Sequence, residues 1–268
     1  MNHAICVTCG VQFPVPVESA SRCPVCEDFR QFIGLDGQQW TTLEELREKH
    51  SNRWEELPGG LVSIHTEPKF AIGQRCLLVR GQNGNLLWDA VSLVDDETVG
   101  KIREEGGVEA IAISHPHYYS SMVEWSEALG DVPILLHEDD ARWVMRPDKR
   151  IHYWRGETLR VDEETTLIRC GGHFEGAQVM HRSDGALLTG DVIQVVADRR
   201  WVSFMRSYPN YIPLPASAVR RIVEAVEPFA FDRIYGAWPK FEILSDAKAA
   251  LGRSAERYCR ALEAVVEE

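Results

Sequence analysis

The stretch VEAIAISHPHYYS, residues 108–120, runs from an apolar strand directly into two histidines, His115 and His117. A strand that ends in a loop is where layered α/β scaffolds place their chemistry, and two imidazoles one residue apart can face one metal ion. An HxH pair by itself recurs by chance, so its meaning depends on what the rest of the chain supplies.

Two further signals follow in order. Cys170-Gly-Gly-His173 comes after a strand-like stretch, with glycines that let the backbone approach closely, and Leu187-Leu188-Thr189-Gly190-Asp191 reads as a strand delivering an exposed carboxylate. With HxH, GGH and TGD in that order, residues 60–240 resemble the metallo-β-lactamase superfamily. The resemblance implies an α/β fold, a four-layer αββα sandwich with its metal site at one edge of the sheets. It implies His115, His117, His173 and Asp191 as metal ligands. Asp89, in LLWDA, falls where that family has a buried carboxylate supporting the metal loop without ligating.

The departures are as informative. The family's first motif usually reads HxHxDH, whereas here Tyr119 stands in the aspartate's place and Ser120 in that of the last histidine. After FDRIYG, where a final histidine is expected, the chain reads Gly236-Ala237-Trp238. The ligands private to a second metal are thus absent together while those of the first remain, which implies a single catalytic metal.

With Zn²⁺, three imidazoles and a carboxylate leave room for a water whose pKa falls to about 7. The expectation is a metal-dependent hydrolase of a small-molecule ester, thioester, lactone or amide. Asp191 would share in orienting the water, and Tyr119 or Ser120 would donate to an oxyanion. Two other classes use the same atoms. One is a mononuclear non-haem iron dioxygenase with His115, His173 and Asp191 as its triad; the other is a catalytically inactive binding or sensor protein. The stretch WVSFMRSYPNYIPLP, 201–215, offers Arg206 either as the holder of an anionic group or as packing, and Trp238 would narrow the pocket. His50, His65, His137, His152 and His181 have no motif around them.

The first 40 residues stand apart. Cys6-x-x-Cys9 and Cys23-Pro-x-Cys26 form two tight turns 13 residues apart, each able to aim two sulfurs at one point. Such a closed four-sulfur site is structural and would stabilise a module too small for its own core. It resembles a rubredoxin-like or zinc-ribbon knuckle, occupied by zinc or iron. The expected division is therefore a metal-binding knuckle over 1–40 and the large domain over 41–268. Cys76, Cys170 and Cys259 read as ordinary thiols.

Elsewhere periodicity and punctuation predict a helix at TLEELREKH capped by Thr41 or Thr42, and strands at 61–64, 75–80, 85–93 and 108–114. Helices are expected at 95–105, 119–129, 138–145, 215–227 and 244–266, with strands at 133–137, through 157–204 and at 231–237.

The chain has 268 residues, 44% of them hydrophobic, enough for one large domain or for a medium domain plus an appendage. A net charge of -12 opposes binding to phosphate backbones and disfavours nucleic acid as a partner. With no signal-like N-terminus, no run of about 18 apolar residues and a small-molecule substrate, the expectation is a cytoplasmic protein that engages no membrane. Oligomeric state is not legible.

Overall fold

The computed structural model describes residues 2–263. Two sheets face each other. In the first, Ser51–Leu57, Leu61–Glu67, Arg75–Val79 and Leu86–Trp88 pair antiparallel, and Ala110–Ala112, Ile134–His137 and Ile151–Trp154 continue from Leu86–Trp88 in parallel. In the second, Thr158–Arg160, Thr165–Arg169, Gln178–Arg182 and Ala186–Gly190 form an antiparallel run, then Arg233–Gly236 pairs parallel with Ala186–Gly190 and Glu242–Ile243 closes the edge.

Strand alternation explains the layering. Leu77, Trp88, Leu167, Met180, Leu188 and Tyr235 pack between the sheets. Their sequence neighbours Leu78, Leu87, Ile168, Val179 and Leu187 face outward and are equally buried, in a cluster with Val99, Ile102, Val219 and Ile222 from the helices Asp96–Glu104 and Ala216–Val226. Sheets apolar on both faces need helices over both, so the chain is a four-layer αββα sandwich. At about 25 cal/mol per Å² of apolar surface, each such leucine contributes roughly 1.5–3 kcal/mol.

Most expected elements are present, with instructive differences. Thr42 caps the helix Leu43–Lys49 by accepting from the Glu45 amide, and Asp95 does the same for Asp96–Glu104 through Thr98. The strand expected over 85–93 stops at Trp88, because Asp89 turns into the left-handed region at φ 64°. Ser51–Leu57 was not anticipated. It is the edge of the first sheet and, being half exposed, carries no apolar alternation. The segment 138–145 forms a 3₁₀ helix, Glu138–Trp143, and the last helix runs Ala247–Glu263, its expected end at 266 lying outside the described residues.

The N-terminal segment closes on itself where Ile5 and Cys6 pair with Thr41 and Trp40, so the boundary drawn at residue 40 falls within a strand. Its four cysteines are buried in the same apolar cluster as the helices of the large domain. Cys6 Sγ lies 3.5 Å from Cys26 Sγ and Cys9 Sγ 3.6 Å from Cys23 Sγ. These spacings are far beyond a disulfide and close to the roughly 3.8 Å edge of a tetrahedron with Zn–S near 2.3 Å.

Candidate metal centre

Parallel neighbours deliver the site. Trp88 and Ala112 are register partners, so Asp89 and the Ser114–His117 loop leave the sheet at the same end. Asp89 Oδ1 accepts from the Ser114 amide at 2.7 Å, and the Ser114 hydroxyl, also bonded to Asp89, lies 3.0 Å from His115 Nδ1. In the other sheet, Ala186–Gly190 ends beside Arg233–Gly236 and places Asp191 near Trp238. Gly190 is at φ 52°, and a Cβ there would lie 2.6 Å from Ser114 Oγ, so the two sheet ends meet only because position 190 has no side chain. Gly172, at φ +81° with its missing Cβ 2.9 Å from Ile222, likewise lets the loop before His173 lie against the helix Ala216–Val226.

His115, His117, His173 and Asp191 are brought together, each at most 3% exposed, with one ligand atom from each within 4.8 Å of the others. His115 Nε2 is 3.0 Å from Asp191 Oδ1, His173 Nε2 is 3.1 Å from His117 Nδ1 and 3.9 Å from Asp191 Oδ1. A tetrahedron with metal–nitrogen bonds of about 2.0–2.1 Å has edges near 3.4 Å, in the middle of these values. His173 Nδ1 donates to the Met205 carbonyl at 2.9 Å, which leaves Nε2 with its lone pair facing the cluster. His115 Nε2 and Asp191 Oδ1 are buried without a hydrogen-bonding partner. Such atoms are costly unless something completes them, and a donor set of three imidazoles and a carboxylate fits a divalent cation.

The electrostatics agree. Burial pushes His173 down to about 4, and burial followed by the neighbouring His173 and His115 lowers His117 well below the ordinary imidazole range. Burial alone would raise Asp191, but the imidazoles of His115 and His173 outweigh it and hold the carboxyl well below its usual value. Metal ligands must be unprotonated, and the lowered values of His117, His173 and Asp191 favour that state.

The neighbouring residues depart in part from the sequence reading. Tyr119 lines a separate cavity with Val11, Met122 and Met145 instead of the pocket beside the cluster. It is buried, and burial followed by the charge of Asp140 raises its phenol, whereas Tyr118 feels Asp191 and Asp89 and sets its ring 4.8 Å from that of His115. Ser120 Oγ accepts from Gln74 Nε2 at 3.0 Å. Neither Tyr119 nor Ser120 lines the pocket that holds the metal ligands, so the oxyanion roles considered for them have no geometric basis. Trp238 does line it, donating its indole N–H to the Ile72 carbonyl at 3.0 Å. Arg206 does not; it braces the loop before His173 by donating to the Gly172 carbonyl at 2.9 Å.

The pocket, about 230 Å³, has His117, His173 and Asp191 on its floor. Part of its wall was invisible to sequence reasoning, because Thr8, Arg30, Gln31 and Phe32 come from the four-cysteine segment. Arg30 is fully buried. It pairs with Asp28 at 2.6 Å, stacks 4.0 Å over Phe174, and donates to the His173 carbonyl at 3.2 Å. Only the proximity of an arginine to the last cysteine pair hinted at it.

This sandwich, with its cluster of three histidines and an aspartate at one sheet edge, has the metallo-β-lactamase fold. It superposes on DIM-1 metallo-β-lactamase with a TM-score of 0.59, at 13% identity over 79% of this chain and 98% of that one. On FIM-1 from Pseudomonas aeruginosa in its mono-zinc form the TM-score is 0.58, at 14% identity over 78% and 96%. No family model matches the sequence. The chain is 50% identical over 269 residues to the protein YmaE of Bacillus subtilis (strain 168), covering 98% of this chain and 97% of that protein, and it belongs to the same family. It has the metallo-β-lactamase fold and carries an N-terminal segment in which four cysteines converge.

Proposed function

We propose that this protein is a hydrolase working with one divalent metal ion, zinc, held by His115, His117, His173 and Asp191, on a small-molecule ester, thioester, lactone or amide. The observation that carries the reading is the convergence of unpartnered, buried ligand atoms on the floor of a pocket open to a small molecule. A metal held by these four residues would supply Lewis-acid chemistry, lowering the pKa of a water and polarising a carbonyl. The protein's own part is positional. Met205 and Ser114 orient His173 and His115, Asp89 fixes Ser114, and Tyr208 donates to the Asp191 carbonyl at 2.7 Å.

The one-metal reading is supported by what stands at the replaced positions: Tyr119 lining a separate cavity, Ser120 bonded to Gln74, and Trp238 bonded to Ile72. The cysteine site would hold a second, structural zinc. Among the described residues no helix is long and apolar enough to cross a membrane.

Elemental analysis of the purified protein, with ester, thioester, lactone and amide hydrolysis assayed for the wild type, His115→Ala and Asp191→Ala, tests this. One equivalent of zinc beyond the cysteine-bound one, and loss of at least a thousandfold in kcat/KM in both variants, is expected. Two ions in the histidine pocket would refute the one-metal reading. Stoichiometric iron with oxygen consumption would replace the hydrolase by a dioxygenase, and hydrolysis indifferent to both substitutions would remove the site from catalysis.

A further inference from the structure

Most of the charge that lines the metal pocket is already committed. Arg30 is held by Asp28 and by the His173 carbonyl, and His117, His173 and Asp191 belong to the proposed metal site. Lys69 is the one other charged residue in the lining. It is exposed and pairs with no carboxylate among the described residues. The chain has 41 acidic residues against 29 basic ones, so a carboxylate partner would have been easy to supply from within.

An unpaired lysine on a loose stem would be an ordinary surface group, but this stem is seated. Gly73 is at φ +75°, and a Cβ on it would lie 2.7 Å from Lys69 Cε, 2.9 Å from Cδ and 3.0 Å from Cγ. Three methylenes of the lysine therefore lie across a glycine that has no side chain to push them off. The loop that carries them is braced. His50 Nδ1 lies 2.7 Å from the Pro68 carbonyl, the Gly73 amide donates to the Phe70 carbonyl at 2.9 Å, and Trp238 donates to the Ile72 carbonyl. The wall contributed by the cysteine-bearing segment is fixed as well. Asn210 Nδ2 donates to both the Phe29 and the Gln31 carbonyls at 2.9 Å, and Ser207 Oγ donates to the Arg30 carbonyl at 3.0 Å, which pins the main chain of 29–31 to the large domain.

We propose that Lys69 is the anion-recognising residue of this pocket and selects small substrates that carry a carboxylate near the group to be hydrolysed. A preformed cation beside a metal site is complemented by an anion, because the pairing costs little further ordering of the side chain. One uncommitted positive charge matches a singly charged carboxylate, and a pocket of about 230 Å³ suits a small acid. The inference deepens the hydrolase reading but is tested by binding, which does not require turnover.

The probes are 3-mercaptopropionate and its neutral amide, 3-mercaptopropionamide, titrated calorimetrically into the zinc-loaded full chain. The thiol serves as the metal-binding group in both, so the difference between them reads the carboxylate. The acid is expected to bind about fivefold tighter than the amide, and the preference should shrink in about 0.5 M sodium chloride. Lys69→Met should abolish it and Lys69→Arg should retain it. Lys49→Met removes the same charge from an exposed position outside the pocket and should leave it unchanged. Unchanged thermal midpoints confirm that the variants are folded. Equal affinities in the wild type, a preference that survives Lys69→Met, or one lost equally in Lys49→Met overturns the proposal even if esters are hydrolysed. Failure of both thiols to bind overturns it together with the metal reading. The preference present with no hydrolysis of any ester or amide would uphold it and remove the hydrolase reading instead.

Discussion

Arg30 reaches across 143 residues of sequence to donate a hydrogen bond to the carbonyl of His173, a ligand of the proposed metal site. Its guanidinium also neutralises Asp28 and covers the face of Phe174, whose ring contacts all three histidines. Replacing Arg30 by Met keeps the volume but strands the Asp28 carboxylate and the His173 carbonyl. The expected loss is about 3 kcal/mol in urea unfolding, with weaker retention of the histidine-site metal on dialysis. Arg30→Lys should not restore it, since one ammonium cannot serve a bidentate carboxylate and a carbonyl together. A stability equal to wild type in Arg30→Met would show the tie to be incidental.

Asp89 holds the loop that carries His115 and His117. Asp89→Asn tolerates the positive φ and keeps one acceptor for the Ser114 amide, but loses the oxygen that accepts from the Ser114 hydroxyl. Metal affinity at the histidine site should fall by about ten- to a hundredfold, read by competition with a chromophoric chelator. The cysteine site should be unaffected in the same titration.

Asp140 gives the stability a pH dependence. Its Oδ1 accepts from the Gly176 amide at 2.9 Å, yet burial raises the carboxyl to about 7, opposed by that hydrogen bond and by His115 and Arg30, with Glu175 adding to the rise. The folded state therefore binds this proton more tightly than the unfolded chain, where the pKa is near 3.8. Stability from this group is full below the unfolded value and is lost as pH rises toward about 7. Asp140→Asn should gain on wild type by about 2 to 3 kcal/mol between pH 5 and pH 8 in denaturant titrations. A difference that stays flat across that interval would contradict the buried, proton-holding state.

Cys26→Ser should remove one equivalent of metal and lower the thermal midpoint by about 10 °C, because a four-sulfur site contributes its binding free energy to folding. The histidine-site metal should remain bound at 25 °C. Loss of both ions at once would mean that the two sites fold as one unit.

The parts of the site legible in the sequence are those whose partners are close in the chain or follow strand ends: the two cysteine pairs, His115 with His117, the glycines before His173, and Gly190 before Asp191. Asp89 was placed by the family likeness, and the structure gives it a physical reason in the Ser114 amide. What escaped depends on rotation or distance. Tyr118 and Tyr119 are adjacent in a tight turn, where a step of one residue decides which phenol faces Asp191. Arg30, Gln31 and Phe32 reach the pocket only through tertiary packing that no local spacing announces. The edge strand Ser51–Leu57 was missed because half-exposed polar residues form it.

The pinning of residues 29–31 by Ser207 and Asn210 imposes an order of assembly. Both cysteine pairs are synthesised within the first 26 residues, ahead of every residue of the histidine cluster. The wall they support has no counterpart to lean on until residue 210 has left the ribosome, roughly 10 to 40 s later at ordinary elongation rates. The pocket around the histidine cluster is therefore completed last, after the segment carrying the cysteines has been waiting for its counterpart.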